Sequence, residues 1–535
     1  MYLQIFKSSE FKAYAFEQHN IFTEIQPLRG DIFDRNHKEL AINAISYSIF
    51  ATNKAALSAE AEKKLASLLN EDISSLRAKL KLEKSFIWLK RNVSPEISAR
   101  LKELNMSGIG QARERKRFYP NASLASHIIG FTDIDNKGLE GLEFYYDSYL
   151  SGIKGWRLAH KDGKRRELIC WGYKSIQPAD GYDLVLTIDS AIQNIAKRHT
   201  QYAARKYKAA SATTIVMEPK TGEVLALYNY PDYDLNNAAD CRPQARKNLA
   251  VTDIFEPGSS FKFVAAAAAI EEGRVKPEDK FFCENGKWRI GGRLLSDYKP
   301  HGKLSFKEVM YHSSNIGIVK AAQLLGKETL CKYIEDFGFG RETGIGLPGE
   351  VEGIIKGPGE WSRASISSIP MGYEVAVTPM QLVCGISSLA NDGVLLKPRI
   401  LKSIRHKDGR VVKSFPREEL RRVVSPETAA ILREILTGCV EEGTGEKARV
   451  SGYKTAGKTG TAHKASPQGG YYQGKYFASF VGFVPADDPA ISIIVVLNEP
   501  RSQYFGGTVA APVFRKIASE TLRYLEMSDE TKKVN

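Results

Sequence analysis

The sequence predicts an α+β fold, in which strands from distant parts of the chain close into one sheet around intervening helices. Three observations carry that expectation. Asp183–Ile188 alternates like a strand, and Asp189 then stands where a capping residue would open an amphipathic helix, Ser190–Thr200. Thr213–Met217, the turn Glu218–Gly222 and Glu223–Tyr228 read as a β-hairpin. Far downstream, Phe477–Val484 and Ile491–Leu497 return to β-branched and aromatic runs, before a closing helix from about Ala511 to Leu525.

A chain of 535 residues exceeds one ordinary domain, and the texture changes near residue 180. Residues 1–180 are charged and irregular, with a basic, Ala/Leu/Lys/Glu-rich stretch, Ser58–Leu104, expected to be helical; residues 181–535 form the second unit. The balance of 43% hydrophobic and 26% charged residues excludes disordered and collagen-like classes. A net charge of +14 is spread along the chain, and no zinc-finger, RNP or basic-zipper pattern accompanies it, so no nucleic-acid partner is expected. Cys170, Cys241, Cys283, Cys331, Cys384 and Cys439 form no CxxC pair and have no histidine cluster beside them. That pattern disfavours a metal site or redox motif and favours isolated core thiols, with a disulfide left open. No run of about 18 apolar residues occurs, which predicts neither a membrane span nor a signal peptide within the chain.

The chemistry is concentrated in three short segments. In Glu256-Pro257-Gly258-Ser259-Ser260-Phe261-Lys262, Pro and Gly end the preceding segment, and an alanine-rich run follows to Ile270. Ser259 is therefore expected at a helix start with Lys262 one turn along on the same face. The helix N-terminus favours an oxyanion, and a lysine in an apolar, cationic site can lose its proton and act as base. Alone, SxxK is a weak pattern: Ser9/Lys12, Ser151/Lys154 and Ser451/Lys454 repeat it. Second comes Ser313-Ser314-Asn315, after a segment Lys303–Tyr311 that reads as helical. Ser313 could relay a proton, and Asn315 offers an amide donor and acceptor to a peptide. Third is Gly457-Lys458-Thr459-Gly460-Thr461-Ala462, whose small residues suit a strand edge approached by a substrate backbone. There Gly460 would remove an obstructing side chain, Lys458 would attract a carboxylate, and the threonines would supply donors. Lys220-Thr221-Gly222 repeats the lysine motif, but it lies in the hairpin turn, where turn geometry explains it.

SxxK, then Ser-x-Asn, then KTG, in that order, is the motif set of the penicillin-recognising serine enzymes, and the chain resembles the class B penicillin-binding proteins over nearly its whole length. Arg29-Gly30-Asp31-Ile32-Phe33-Asp34-Arg35 resembles the RGxxxDR signature of that class's elongated N-terminal pedestal. Arg117–Pro120, His127–Gly130, Gly141–Glu143, Tyr146-Asp147 and Leu150–Gly152 resemble further pedestal motifs. Read for themselves, these are arginine–carboxylate pairs, turns and a helix cap. Asn36-His37 departs from the usual Asn-Gly and hints at a different turn. The sequences around Val251–Gly258, Met371–Tyr373 and Val377–Pro379 resemble the division (septal) type more than the elongation type, which stays as the alternative.

The resemblance implies a transpeptidase domain, an antiparallel sheet flanked by helices, that cross-links peptidoglycan stem peptides ending in D-Ala-D-Ala and is a β-lactam target. It implies Ser259 as nucleophile and Lys262 as base, with Ser313 and Lys458 protonating the leaving D-Ala. Asn315, Thr459, Gly460 and Thr461 would bind substrate, and the backbone N–H groups of Ser259 and Thr461 would form the oxyanion hole. No cofactor or metal is implied. A membrane glycan polymerase and other division proteins are the implied partners. The implied location is the extracytoplasmic face of the bacterial cytoplasmic membrane, with the anchoring helix expected upstream of Met1. The rival readings are a serine β-lactamase, a β-lactam sensor and an inactive scaffold.

Overall fold

The computed structural model describes residues 20–534, apart from 53–56, 83, 162–166, 169–174 and 291. The larger half is built on a five-stranded antiparallel sheet in the order Val224–Tyr230, Ser211–Met217, Ile491–Asn498, Tyr471–Val484, Ala456–Ala465. The predicted hairpin forms one side. The strands Tyr471–Val484 and Ile491–Asn498 lie against it, because every residue of Ile491–Leu497 is apolar or small and buried on both faces. The KTG strand Ala456–Ala465 pairs on one side only and is the sheet's edge. Ser190–Lys206 and Ala511–Val534 pack on one face of the sheet, and Pro379–Ala390 packs on it from the interior of the domain.

Asp189 accepts hydrogen bonds from Ala191 and Ile192 N–H and so opens the Ser190–Lys206 helix, as its position in the sequence predicts. The repeated lysine motif, Lys220–Gly222, turns the hairpin: Gly222 has φ 75° and Thr221 donates to Glu218. In Ser58–Leu104 only part of the expectation holds. Helices cover Ala59–Leu69, Ile73–Leu80 and Pro95–Glu103, but Phe86–Val93 is a strand paired with Glu39–Thr52. Likewise Lys303–Ser305 is a strand, and the helix begins at Phe306 behind a Ser305/Glu308 capping box. Cys241, Cys283, Cys331, Cys384 and Cys439 are free thiols; Cys170 lies outside the described residues.

The first part of the chain is joined to the second by a seven-stranded sheet. Val411–Ser414, Leu401–Arg405, Asp183–Leu186, Ile32–Phe33, Glu39–Thr52 and Phe86–Val93 run in that order, and Ile109–Phe118 also pairs with Glu39–Thr52. The signature Arg29–Arg35 sits at this junction, and three of its charged residues make separate ties. Arg29 enters a buried cluster in which Glu143 takes 2.7 Å and 2.6 Å contacts from the Nε groups of Arg29 and Arg117. Asp34 accepts from the N–H and hydroxyl of Ser190, and Arg35 lies 3.2 Å from Glu223, which also pairs with Arg399. The motifs that resemble pedestal signatures therefore converge: Arg29, Arg117 and Glu143 come from three of them. His37 keeps the left-handed conformation (φ 61°) that glycine adopts without cost, so the altered sequence leaves the turn's backbone demand in place. Among the described residues, no helix is long and apolar enough to cross a membrane.

Candidate active site

Ser259 lies in a single 3₁₀ turn, Gly258–Phe261, that leads directly into the helix Lys262–Glu271. The expected helix start is thus refined to a tighter turn ahead of the α-helix. Five alanines (Ala265–Ala269) let that helix be buried on all sides, against Asn315–Leu325, Lys327–Asp336 and Pro426–Glu441. Packing fixes the turn at its base. Gly258 and Ser260 are buried while Ser259 between them keeps access to solvent, and no hydrogen bond claims its hydroxyl among the described residues.

Two walls meet at this turn. One is the edge strand. A Cβ on Gly460 would fall 2.7 Å from Pro257 O and 2.8 Å from Ser260 Oγ. Ser479 Oγ on the neighbouring strand would be nearer still at 2.3 Å, so the glycine admits both that side chain and the Ser259 turn, where the sequence suggested room for a substrate backbone. Gly372, from the Met371–Tyr373 segment, holds the turn from another side: its carbonyl accepts from Gly258 N–H, and a Cβ there would overlap Gly258 O at 2.2 Å.

The other wall is the Ser313–Asn315 loop. Lys262 Nζ reaches it with bonds of 2.6 Å to Ser313 O, 3.2 Å to Ser313 Oγ and 2.8 Å to Asn315 Oδ1. Ser313 holds φ 56°, an unfavourable conformation for a residue with a Cβ. Asp297 braces the loop: its carboxylate accepts from Ser314 Oγ at 2.6 Å, Asn315 N at 2.5 Å and Ile316 N at 3.1 Å, capping the helix Asn315–Leu325. Asn315 Nδ2 also donates to Ser296 O at 2.9 Å. Sequence reasoning missed Asp297. An aspartate ahead of Tyr298-Lys299-Pro300 carries no local sign that it caps a helix starting at Asn315.

Electrostatics separate the two lysines from ordinary ones. Lys262 and Lys458 are both fully buried. Burial, and then the charge of Lys458, hold the Lys262 ammonium well below its usual range. Burial brings Lys458 down to about 8. Lys458 Nζ has no hydrogen-bond partner among the described residues, an expensive state for a buried ammonium unless an anion is to arrive. Of the threonines, Thr461 Oγ1 accepts from Gly506 N–H at 3.0 Å, which leaves its O–H free to donate. The Thr459 hydroxyl pairs with Thr444 at 2.9 Å. All the sequence-singled residues, Ser259, Lys262, Ser313, Asn315, Lys458, Thr459, Gly460 and Thr461, thus belong to the Ser259 turn, the first residue of the helix behind it and the two walls around it.

A buried helix that starts at the Ser259 turn stands between an antiparallel sheet edge and a Ser-Ser-Asn loop, and the chain ahead of it forms a separate N-terminal part. Comparison with known proteins specifies the family. Residues 212–519 match the penicillin-binding protein transpeptidase domain and residues 24–186 the penicillin-binding protein dimerisation domain. Stage V sporulation protein D of Bacillus subtilis is 36% identical over 506 residues, covering 93% of this chain and 78% of the relative. Peptidoglycan D,D-transpeptidase FtsI of Escherichia coli K12 is 32% identical over 516 residues, covering 95% and 85%. The crystal structure of penicillin-binding protein 3 from Mycobacterium tuberculosis with aztreonam superposes with a TM-score of 0.75 at 29% identity, covering 94% of this chain and 97% of that one. The chain belongs to the class B penicillin-binding proteins, of the division type, and is a peptidoglycan D,D-transpeptidase.

Proposed function

We propose that Ser259 is the acylated nucleophile of this transpeptidase, with Lys262 as its base. The observation that carries the reading is the pair of buried lysines, one tied to Ser313 and Asn315 and depressed, the other buried without a partner. A stem peptide ending in D-Ala-D-Ala lies along Lys458–Thr461. Its carboxylate meets Lys458 and the hydroxyls of Thr461 and Thr459, Thr461 being the freer donor. Lys262, neutral, takes the Ser259 proton as Oγ attacks the penultimate D-Ala carbonyl, and the N–H groups of Ser259 and Thr461 receive the oxyanion. Ser259 suits that task because the N–H groups of a helix's first turn have no intrahelical carbonyl to bond. Ser313, with Lys458, returns a proton to the departing D-Ala while Asn315 holds the donor peptide. An amine of a second stem peptide then displaces Ser259 and completes the cross-link.

β-Lactams acylate the same serine as substrate mimics, a reading supported by the relative whose structure holds aztreonam. The substrate places the work at the extracytoplasmic face of the cytoplasmic membrane, beside a glycan polymerase and other division proteins, in septal synthesis. The division between pedestal, 1–180, and transpeptidase domain, 181–535, leaves Asp183–Leu186 on the catalytic side. Labelling with a fluorescent penicillin tests the core of this reading: a stable adduct, lost in Ser259→Ala, is expected, and rapid turnover of the adduct would indicate a lactamase instead. A tagged protein that marks the lateral wall and not the septum in dividing cells would overturn the septal assignment.

A further inference from the structure

The two walls of the groove are bridged by a pair of rings that the reaction above does not use. Tyr298 directly follows Asp297, whose carboxylate is bound to the Ser313–Asn315 loop. Phe505 directly precedes Gly506, whose N–H is bonded to Thr461 on the opposite wall. The rings meet edge-on with centroids 5.3 Å apart. Tyr298 is nevertheless 78% exposed and Phe505 38%, so the contact is at the surface and buries little of either ring. Phe505 continues into a row of rings along the edge strand: Tyr504 at 4.5 Å, Tyr476 stacked on Tyr504 at 4.1 Å, and His463 at 4.6 Å from Tyr476. Among the described residues, Tyr298 is the ring that meets this row from the opposite wall.

Resting on the Ser259 acyl-enzyme reading, we propose that Tyr298 and Phe505 form an aromatic clasp across the groove, and that the clasp sets whether an amine or water resolves the acyl-enzyme. Each ring is one residue from a hydrogen-bonded anchor, so the bases are fixed while the side chains can turn. A donor peptide entering the groove parts them. Once the peptide is attached to Ser259, the exposed Tyr298 ring gains apolar contact by folding onto it, as an aromatic side chain with a largely wetted face will. Water is then excluded from the ester on that side. In productive transfer the acceptor nitrogen bonds to the acyl carbon, the ester bond to Ser259 Oγ breaks, and the proton lost by the amine returns to Oγ. In hydrolysis a water oxygen takes the nitrogen's place and the peptide leaves as a carboxylic acid. The clasp acts on the ratio of these two outcomes.

The test uses the whole chain, a thioester peptide donor ending in D-Ala and free D-alanine as the acceptor amine, with fluorescent penicillin as a second acylating probe. In Tyr298→Ala the ratio of aminolysis to hydrolysis is expected to fall about five-fold or more, and hydrolysis of the penicilloyl adduct to accelerate by a similar factor, since water exclusion is what is removed. Phe505→Ala should do the same from the other wall, and Tyr298→Phe, which keeps the ring, should restore the ratio. An unchanged ratio in both alanine variants overturns the clasp, as does a Tyr298→Phe chain that behaves like Tyr298→Ala. A parent chain that forms no adduct at Ser259 would overturn the underlying reading instead, so the two failures are distinguishable.

Discussion

Among the described residues, the buried arginines of the junction and the buried lysines of the groove are built in opposite ways. At the junction, Arg29 and Arg117 share the carboxylate of Glu143, and Arg29 also reaches Asp147 at 2.7 Å. Burial disfavours the Arg29 charge, yet Glu143 and Asp147 outweigh it and leave the guanidinium more firmly protonated than usual. In the groove, Lys262 has only neutral oxygens for partners and Lys458 has none, so burial prevails and both pKa values fall. The first cluster sets carboxylates against its charges and holds structure together, although the two Nη atoms of Arg117 make no hydrogen bond among the described residues and Nη1 only approaches Asp31 at 3.7 Å. The second sets no bonded carboxylate against either lysine among the described residues, and under the proposed function the end of a stem peptide would supply that charge to Lys458.

Removing Glu143 should break the comparison from the stable side. Glu143→Ala leaves two guanidiniums buried without their shared counter-ion and should cost about 3–5 kcal/mol in denaturant unfolding. Lys458→Met should do the reverse, slowing acylation by a fluorescent penicillin about 10²–10⁴-fold, the usual scale for a positioned proton donor, without lowering unfolding free energy. Lys458 also gives a pH signature. With its folded pKa near 8 against an ordinary 10.5, the folded state binds fewer protons than the unfolded state between those values. Stability from this group therefore rises across that window, by about 3 kcal/mol in order of magnitude, read as wild type minus Lys458→Met. Acylation should move the other way above pH 8, as Lys458 loses the charge that attracts the carboxylate, and should fall at lower pH as Lys262 gains a proton. The smallest effect is expected at the turn of the signature: His37→Gly relieves a left-handed residue and should stabilise by about 1 kcal/mol in the same unfolding assay.

Much of this was legible because it is local. The hairpin from Thr213 to Tyr228, the Asp189 cap and the apolar run Ile491–Leu497 are written in neighbouring residues, and so are the three motifs around Ser259, Ser313 and Lys458. Phe86–Val93 was read as helix because Ala, Leu, Lys and Glu surround it, although its β-branched and aromatic residues need only Glu39–Thr52 beside them to become a strand. Asp297 and the true neighbours of Gly460 were hidden for a related reason. Each matters through a partner far along the chain, Ser314 and Asn315 in one case, Pro257 and Ser260 in the other.

The seam between the halves has a practical corollary. Asp183–Leu186 is hydrogen-bonded on one side to Ile32–Phe33 and on the other to Leu401–Arg405. Cutting the polypeptide just ahead of it would strip one flank of a fully buried strand and leave its amides and carbonyls open to any passing chain. A shortened enzyme made that way would be prone to clump before it could be assayed, so biochemistry on the catalytic half is best done with the pedestal left in place.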